Sequence, residues 1–115
     1  MKPLSIEEFD VEVSAALDLL PPGLAALMDN VAVFTEDHHP EEPDLLGLYE
    51  GIPLTERDGY GLMDLPDRVS VYRLPLCEQC ADRDELIDEI RITVIHEVAH
   101  HFGIDDVRLE ELGWD

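Results

Sequence analysis

Apolar residues recur every three or four positions in two parts of the chain, one near its start and one near its end. The first part follows Ser5 and Glu8, which have the spacing of a helix capping box, and its apolar positions are Ile6, Phe9, Val13, Ala16, Leu17 and Leu20. The second part follows Asp82 and Glu85, which have the same spacing, and its apolar positions are Ile87, Ile90, Val94, Val98 and Phe102. Such spacing is typical of helices that bury one face. We therefore expect an N-terminal helix, closed by residues 21–23, and a later helix of about five turns.

Between these helices the apolar residues fall in short runs, which favours strands. Residues 31–35 and 45–49 are two such runs, whereas residues 24–28 fit a further turn of helix. Residues 69–74 alternate between apolar and polar side chains and are followed by Pro75. Because proline is confined to the margins of sheets, we expect an edge strand there. Residues 57–61 predict a turn, since they combine two glycines with an aspartate.

The order of these elements predicts an α+β fold. We expect a small mixed or antiparallel sheet of three to four strands, packed against the N-terminal helix and the later long helix. A short helix over residues 107–112 follows. The 115 residues suit a single domain, residues 1–115, which is large enough to bury a core without disulfides.

The end of the long helix carries the candidate chemistry in the pattern HExxHxxGxxD, which spans residues 96–106. Histidines four positions apart on a helix differ by roughly 40° in azimuth, so His96 and His100 lie on one side and can share a metal ion. Glu97 lies about 100° further round, where a zinc hydrolase needs a carboxylate to accept a proton from water. His101 is about 140° from His96 and is expected to point elsewhere. The pattern indicates a zinc hydrolase.

A tetrahedral zinc site with one open position needs a third protein ligand. Gly103 can end the helix in a left-handed turn and bring the chain back, which makes Asp106 the candidate. Asp105 is the competing ligand if the turn is one residue tighter, and Asp106 also has a position from which it could cap the helix at 107–112. The spacing of ten residues from His96 to Asp106 favours Asp106.

These residues resemble the small zincin-like metallopeptidase family of bacterial proteins. The likeness extends to residues 46–57 and 71–76 and to the tail Arg108-Leu109 and Glu111-Leu112-Gly113-Trp114. It implies a minimal zincin fold with one zinc ion on His96, His100 and Asp106, and with Glu97 as the general base that serves hydrolysis of a peptide bond. In larger relatives a methionine turn follows the third ligand, whereas the methionines of this chain all precede the motif, at Met1, Met28 and Met63.

The charge of the chain restricts its partners. The formal net charge is −21, from 28 acidic and 7 basic residues. Such a surface repels phosphate backbones, so we expect a peptide or protein substrate and no nucleic acid. We expect no signal peptide, no membrane span and a cytoplasmic location, since no basic region with an apolar core opens the chain and no apolar run approaches about 20 residues. The oligomeric state is left open.

Two other functions fit the same motif. One is a non-catalytic zinc-binding module whose acidic surface docks a partner. The other is a metal-dependent ribonuclease of the rRNA-maturation type, whose pattern HGxxHxxGxDH shares the acidic position of Asp105. That pattern has glycine where this chain has Glu97 and histidine where it has Asp106, and the net charge of −21 also opposes it.

Several further residues have open roles. Cys77 and Cys80 form a lone CxxC pair, for which an incidental or weakly redox-sensitive role is favoured over a redox catalyst or half of a metal site between two chains. His38 and His39 lie in a polar loop and have no partner at a recognisable ligand spacing.

A peptidase also needs a group that stabilises the oxyanion, and the candidates are Tyr49, Tyr60, Tyr72 and Arg73. We expect the strand at residues 69–74 to form the rim of the cleft, where a peptide would add as a further strand.

Overall fold

A computed structural model describes residues 1–51 and 66–114 of the chain. In these residues the elements follow one another as α1 (Ile6–Asp18), α2 (Pro22–Leu27), β1 (Val31–Glu36), β2 (Gly47–Glu50), β3 (Asp67–Tyr72), α3 (Arg73–Gln79), α4 (Arg83–His101) and α5 (Asp106–Leu112). The α+β class, the mixed sheet and both long helices are as predicted. The turn predicted at residues 57–61 lies outside the described residues.

The two long helices begin where their capping residues predict. The hydroxyl of Ser5 accepts a hydrogen bond from the backbone N–H of Glu8 at 3.2 Å. The carboxylate of Asp82 accepts one from the backbone N–H of Glu85 at 2.9 Å. Each cap satisfies an N–H group that has no partner within its own helix, which fixes the first turn.

The sheet is mixed and has β3 at its centre, in the order β1-β3-β2. Strand β1 runs parallel to β3, with Val33 opposite Val69, and β2 runs antiparallel to it, with Tyr49 also opposite Val69. The prediction of an edge strand at residues 69–74 is therefore wrong. Four consecutive residues of β3, from Val69 to Tyr72, are buried, as expected of a strand with neighbours on both sides.

The proline that suggested an edge belongs to a helix that was not predicted. The chain passes directly from Tyr72 into α3, and Pro75 lies in the first turn of that helix. A missing N–H is harmless there because the first N–H groups of a helix have no intrahelical partner. Pro75 therefore marks the start of a helix and gives no information about the position of the strand in the sheet.

The core forms where α4 meets the sheet and α1. Phe9 of α1, Val69 and Val71 of β3, and Ile90 and Val94 of α4 are all completely or almost completely buried. Burial of side chains of this size contributes roughly 1.5–3 kcal/mol each. The predicted apolar face of α4 is confirmed at Ile90, Val94 and Val98, whereas Phe102 at its end is 44% exposed.

The CxxC pair lies at the end of α3. Cys77 and Cys80 are both buried, and the N-terminal amine donates a hydrogen bond to the backbone oxygen of Cys80 at 2.7 Å. Burial raises the pKa of the Cys80 thiol to about 11, and the neighbouring carboxylates of Glu85 and Glu89 act in the same direction. Redox catalysis needs the opposite, an accessible thiol with a lowered pKa at a helix start.

In the described part of the chain, no helix has the length and apolar character needed to cross a membrane.

Candidate functional site

The end of α4 is shaped by Gly103. Its φ angle of 75° lies in the left-handed region, as its position in the motif predicts. The backbone N–H of Gly103 donates to the oxygen of His100 at 3.1 Å, and that of Ile104 donates to the oxygen of Ala99 at 2.8 Å. This paired arrangement is a Schellman motif, which closes a helix and reverses the chain. The residues after Gly103 therefore return beside the last turn of α4.

At this turn His100 lies beside each of the other two predicted ligands, His96 and Asp106. The imidazole rings of His96 and His100 are nearly parallel, with 10° between their planes and 5.9 Å between their centroids. A carboxylate oxygen of Asp106 is 3.6 Å from Nε2 of His100. The helical spacing of the histidines thus places their rings side by side, and the turn at Gly103 adds a carboxylate to the pair.

The two aspartates of the turn have different roles. The carboxylate of Asp105 accepts a hydrogen bond from the backbone N–H of Arg108 at 2.9 Å and caps α5. Asp106 is the first residue of that helix, and its carboxylate faces His100. The capping role that the sequence left open between them thus falls to Asp105. This arrangement favours Asp106 as the third ligand.

The chemistry of these donors fits zinc, which binds imidazole nitrogens and carboxylate oxygens in sites with three protein ligands. The three donor side chains, however, are not gathered around a common point. In the described residues, no three His, Cys, Asp or Glu side chains stand close enough together to hold a metal ion. The side chains of His100 and Asp106 are 59% and 77% exposed, so both are free of the packing that would prevent them from turning toward His96. A metal ion would have to draw the three donors together.

Glu97 follows His96 on α4 and faces β2. A Cβ atom placed on Gly47 would lie 3.5 Å from Cγ of Glu97 and 2.6 Å from Cγ2 of Thr93, so the glycine lets β2 approach α4 closely. The backbone N–H of Tyr49 hydrogen-bonds to the carboxyl group of Glu97. Burial raises the pKa of Glu97, while this hydrogen bond and the charges of His100 and His96 lower it in part. A raised pKa makes a carboxylate a stronger base.

A cleft opens between β2 and α4. It has a volume of about 320 Å³ and is lined by Asp44, Leu45, Leu46, Gly47, Thr93, His96 and Glu97. The rim of the cleft opposite α4 is therefore formed by residues 44–47, which lead into β2 and include its first residue, whereas the predicted rim, residues 69–74, contributes the central strand. Sequence reasoning did not find Gly47 or Thr93 as parts of the site, and it considered Tyr49 only as a candidate for oxyanion stabilisation. The glycine within a predicted strand was the available signal, because such a glycine often marks a close approach of two backbones.

The candidates for oxyanion stabilisation are engaged elsewhere or lie outside the described residues. Tyr72 is only 2% exposed, and Arg73 binds the carboxylate of Asp37 at 2.8 Å and the backbone oxygen of Leu4 at 2.7 Å. The hydroxyl of Tyr49 donates to Asp67 at 2.9 Å. Tyr60 is not among the described residues. Tyr72 and Arg73 thus have structural roles.

The histidines of the polar loop also have local partners. Nδ1 of His39 accepts hydrogen bonds from the backbone N–H groups of Glu41 and Glu42, both at 3.1 Å. Nδ1 of His38 lies 3.3 Å from the backbone oxygen of His39. These contacts brace the loop.

Comparisons with known proteins agree with the motif and the fold. A family model described as zincin-like metallopeptidase matches residues 28–114. The structure is similar to that of a conserved hypothetical protein from Thermus thermophilus, with a TM-score of 0.56 and 24% sequence identity over 86% of this chain and 94% of the other. At that identity the likeness concerns the fold alone. No match was found among proteins with curated descriptions.

Proposed function

The chain belongs to the zincin-like metallopeptidase family, and on that premise we propose that it hydrolyses peptide bonds with one zinc ion held by His96, His100 and Asp106. The observation that carries this proposal is the arrangement of the side chains at the end of α4, where the candidate ligands and the candidate base lie next to one another. His96 and His100 lie side by side, with Asp106 3.6 Å from His100, while Glu97 projects into the adjoining cleft. The two histidine ligands and the base thus occupy neighbouring stripes of α4, and the first residue of α5 adds the carboxylate.

A bound zinc ion supplies Lewis acidity, which lowers the pKa of water to about 7 and polarises a carbonyl group. Glu97 accepts the proton of the attacking water and later donates it to the leaving amine. The burial of Glu97 supports this role, because it makes the carboxylate a stronger base than an exposed one.

The position of the cleft supports a peptide as substrate. Gly47, the first residue of β2, lines the cleft, and among the described strands β2 pairs only with β3. A peptide in extended conformation can therefore lie along β2 with its scissile bond beside Glu97. The net charge of −21 favours peptides over nucleic acids.

The experiment pairs metal analysis with a peptide cleavage screen on the wild-type protein, Glu97→Gln and the control Glu78→Gln, which changes an exposed glutamate of α3. We expect about one zinc ion per chain in all three, and cleavage by the wild type and the control alone. Equal cleavage by Glu97→Gln would refute the role of the base. Zinc without cleavage by any of the three would refute the peptidase proposal.

A second candidate function, a non-catalytic zinc-binding module, is supported by the position of the methionines, since Met1, Met28 and Met63 all precede the motif and cannot supply the methionine turn of larger zinc peptidases. Thermal unfolding with and without a chelator separates the two candidates. A structural zinc supplies folding free energy, so its removal should lower the Tm by many degrees. Removal of a catalytic zinc from a domain with its own apolar core should change the Tm little.

A further inference from the structure

Strand β2 contacts helix α4 through Gly47 and Tyr49, on either side of Glu97. Thr93, Glu97 and His101 are four positions apart and form one stripe of α4 that faces β2. Gly47 meets this stripe at Thr93 and Glu97. Two residues further along β2, the ring of Tyr49 stacks on the imidazole of His101, with 3.8 Å between centroids and 18° between planes.

The stack is held in place by a residue of the central strand. The hydroxyl of Tyr49 donates a hydrogen bond to Asp67 of β3 at 2.9 Å, and Nε2 of His101 lies 3.9 Å from the same carboxylate oxygen. Phe102 closes the group, with its ring edge-on to His101 at 5.2 Å and to Tyr49 at 6.3 Å. Side chains from β2, β3 and α4 thus meet at one place, one helical turn beyond Glu97.

His101 has no part in the proposed ligand set. It follows His100 directly, so it points about 100° away from that residue, toward β2 rather than toward Asp106. Its contact with Tyr49 matters for Glu97 because the backbone N–H of the same tyrosine hydrogen-bonds to the Glu97 carboxyl group. A shift of Tyr49 would therefore move a direct partner of Glu97.

We propose that His101 is a positioning residue: by stacking on Tyr49 it holds strand β2 against α4 and so fixes Glu97 at the edge of the cleft. The role in catalysis rests on the proposed function, whereas the contact between β2 and α4 does not. Two measurements therefore test it, one that needs peptidase activity and one that does not.

The kinetic measurement compares His101→Ala with His101→Phe, which keeps a flat ring for stacking, and with His38→Ala as a control in the polar loop. Loss of the stack should lower kcat roughly 10- to 100-fold, since displacement of a catalytic group by about 1 Å has an effect of that size. KM should change little, and His101→Phe should retain most of kcat. An unchanged kcat in His101→Ala, or a rise in KM alone, would overturn the proposal.

The second measurement is hydrogen exchange of the Tyr49 amide, followed by NMR in the metal-free protein. We expect slow exchange in the wild type and in His101→Phe, and at least tenfold faster exchange in His101→Ala, while the amides of α1 are unchanged. If His101→Ala does not fold, His101→Leu, which keeps an apolar side chain but has no flat ring to stack on Tyr49, is expected to show the same acceleration. Unchanged exchange would overturn the positioning role even if peptides are cleaved. Absence of peptide cleavage by the wild type would refute the proposed function and leave this measurement decisive.

Discussion

Replacement of Gly47 by alanine tests the close approach of β2 to α4. The new Cβ atom would lie 2.6 Å from Cγ2 of Thr93 and 3.2 Å from the backbone oxygen of Ser70. Carbon atoms rest about 3.5–4.0 Å apart, so strand and helix must separate by roughly 1 Å. Such overpacking costs about 1–3 kcal/mol, whereas the lower entropy of an unfolded chain with alanine returns only about 0.4–1 kcal/mol. We therefore expect a net loss of roughly 1–2 kcal/mol in the free energy of unfolding.

A double-mutant cycle with Thr93→Ser shows whether this contact causes the loss. Serine lacks the Cγ2 atom that Gly47→Ala would strike, and Thr93→Ser alone should cost about 1 kcal/mol for the buried methyl group. Urea unfolding of the four proteins gives the coupling energy. The double variant should be more stable than the sum of the single changes predicts, by about 1 kcal/mol or more. Because the contact with the oxygen of Ser70 remains, the rescue should be partial.

Additive effects would refute this reasoning. If the losses of Gly47→Ala and Thr93→Ser sum to within about 0.5 kcal/mol of the double variant, the two residues are not in energetic contact. A stabilising Gly47→Ala would refute it more directly, because the entropy gain would then exceed any crowding between strand and helix. The same variant should also lower kcat about 100-fold, since the separation of roughly 1 Å displaces Glu97 from β2.

Three further predictions concern the helix ends and the buried thiol. Gly103→Ala should lower the free energy of unfolding, measured in urea, by about 1–2 kcal/mol, because a left-handed φ of 75° disfavours a side chain. No atom lies within 4 Å of the new Cβ, so a much larger loss would indicate crowding and contradict this reason. Asp82→Ala should cost about 1 kcal/mol and Asp82→Asn much less, since asparagine can still cap α4; equal losses would exclude the cap as the cause. Burial raises the pKa of Cys80 from 9.0 to about 11, so the unfolded chain loses this proton first and stability should fall between pH 9 and about 11. Urea unfolding across that range should show a smaller fall for Cys80→Ser, and an identical fall would contradict the shift.

Features that depend on a few neighbouring residues were predicted well. The caps at Ser5 and Asp82 act within one turn of chain, so their side chains alone indicate where α1 and α4 begin. The turn at Gly103 is equally local, and it explains why Asp106 returns to the side of His100. Which of Asp105 and Asp106 caps α5 needed the structure, because both have a position from which they could do so.

The position of a strand within a sheet was not predictable in the same way. The pattern at residues 69–74 shows a strand, yet its central place depends on pairing with β1 and β2, which come from distant parts of the chain. Pro75 misled the prediction because proline is tolerated both beside a strand and in the first turn of a helix.

The sequence by itself predicted a donor set at His96, His100 and Asp106 with a neighbouring carboxylate at Glu97, and it determined the helix that carries the two histidines and the glutamate, since helical periodicity and one left-handed glycine are local properties. Only the tertiary structure decided which strand forms the wall of the cleft and what holds Glu97 there. Gly47, Tyr49, Asp67 and His101 come together from three separate elements. Their contacts result from packing between residues far apart in the chain, which no local pattern encodes.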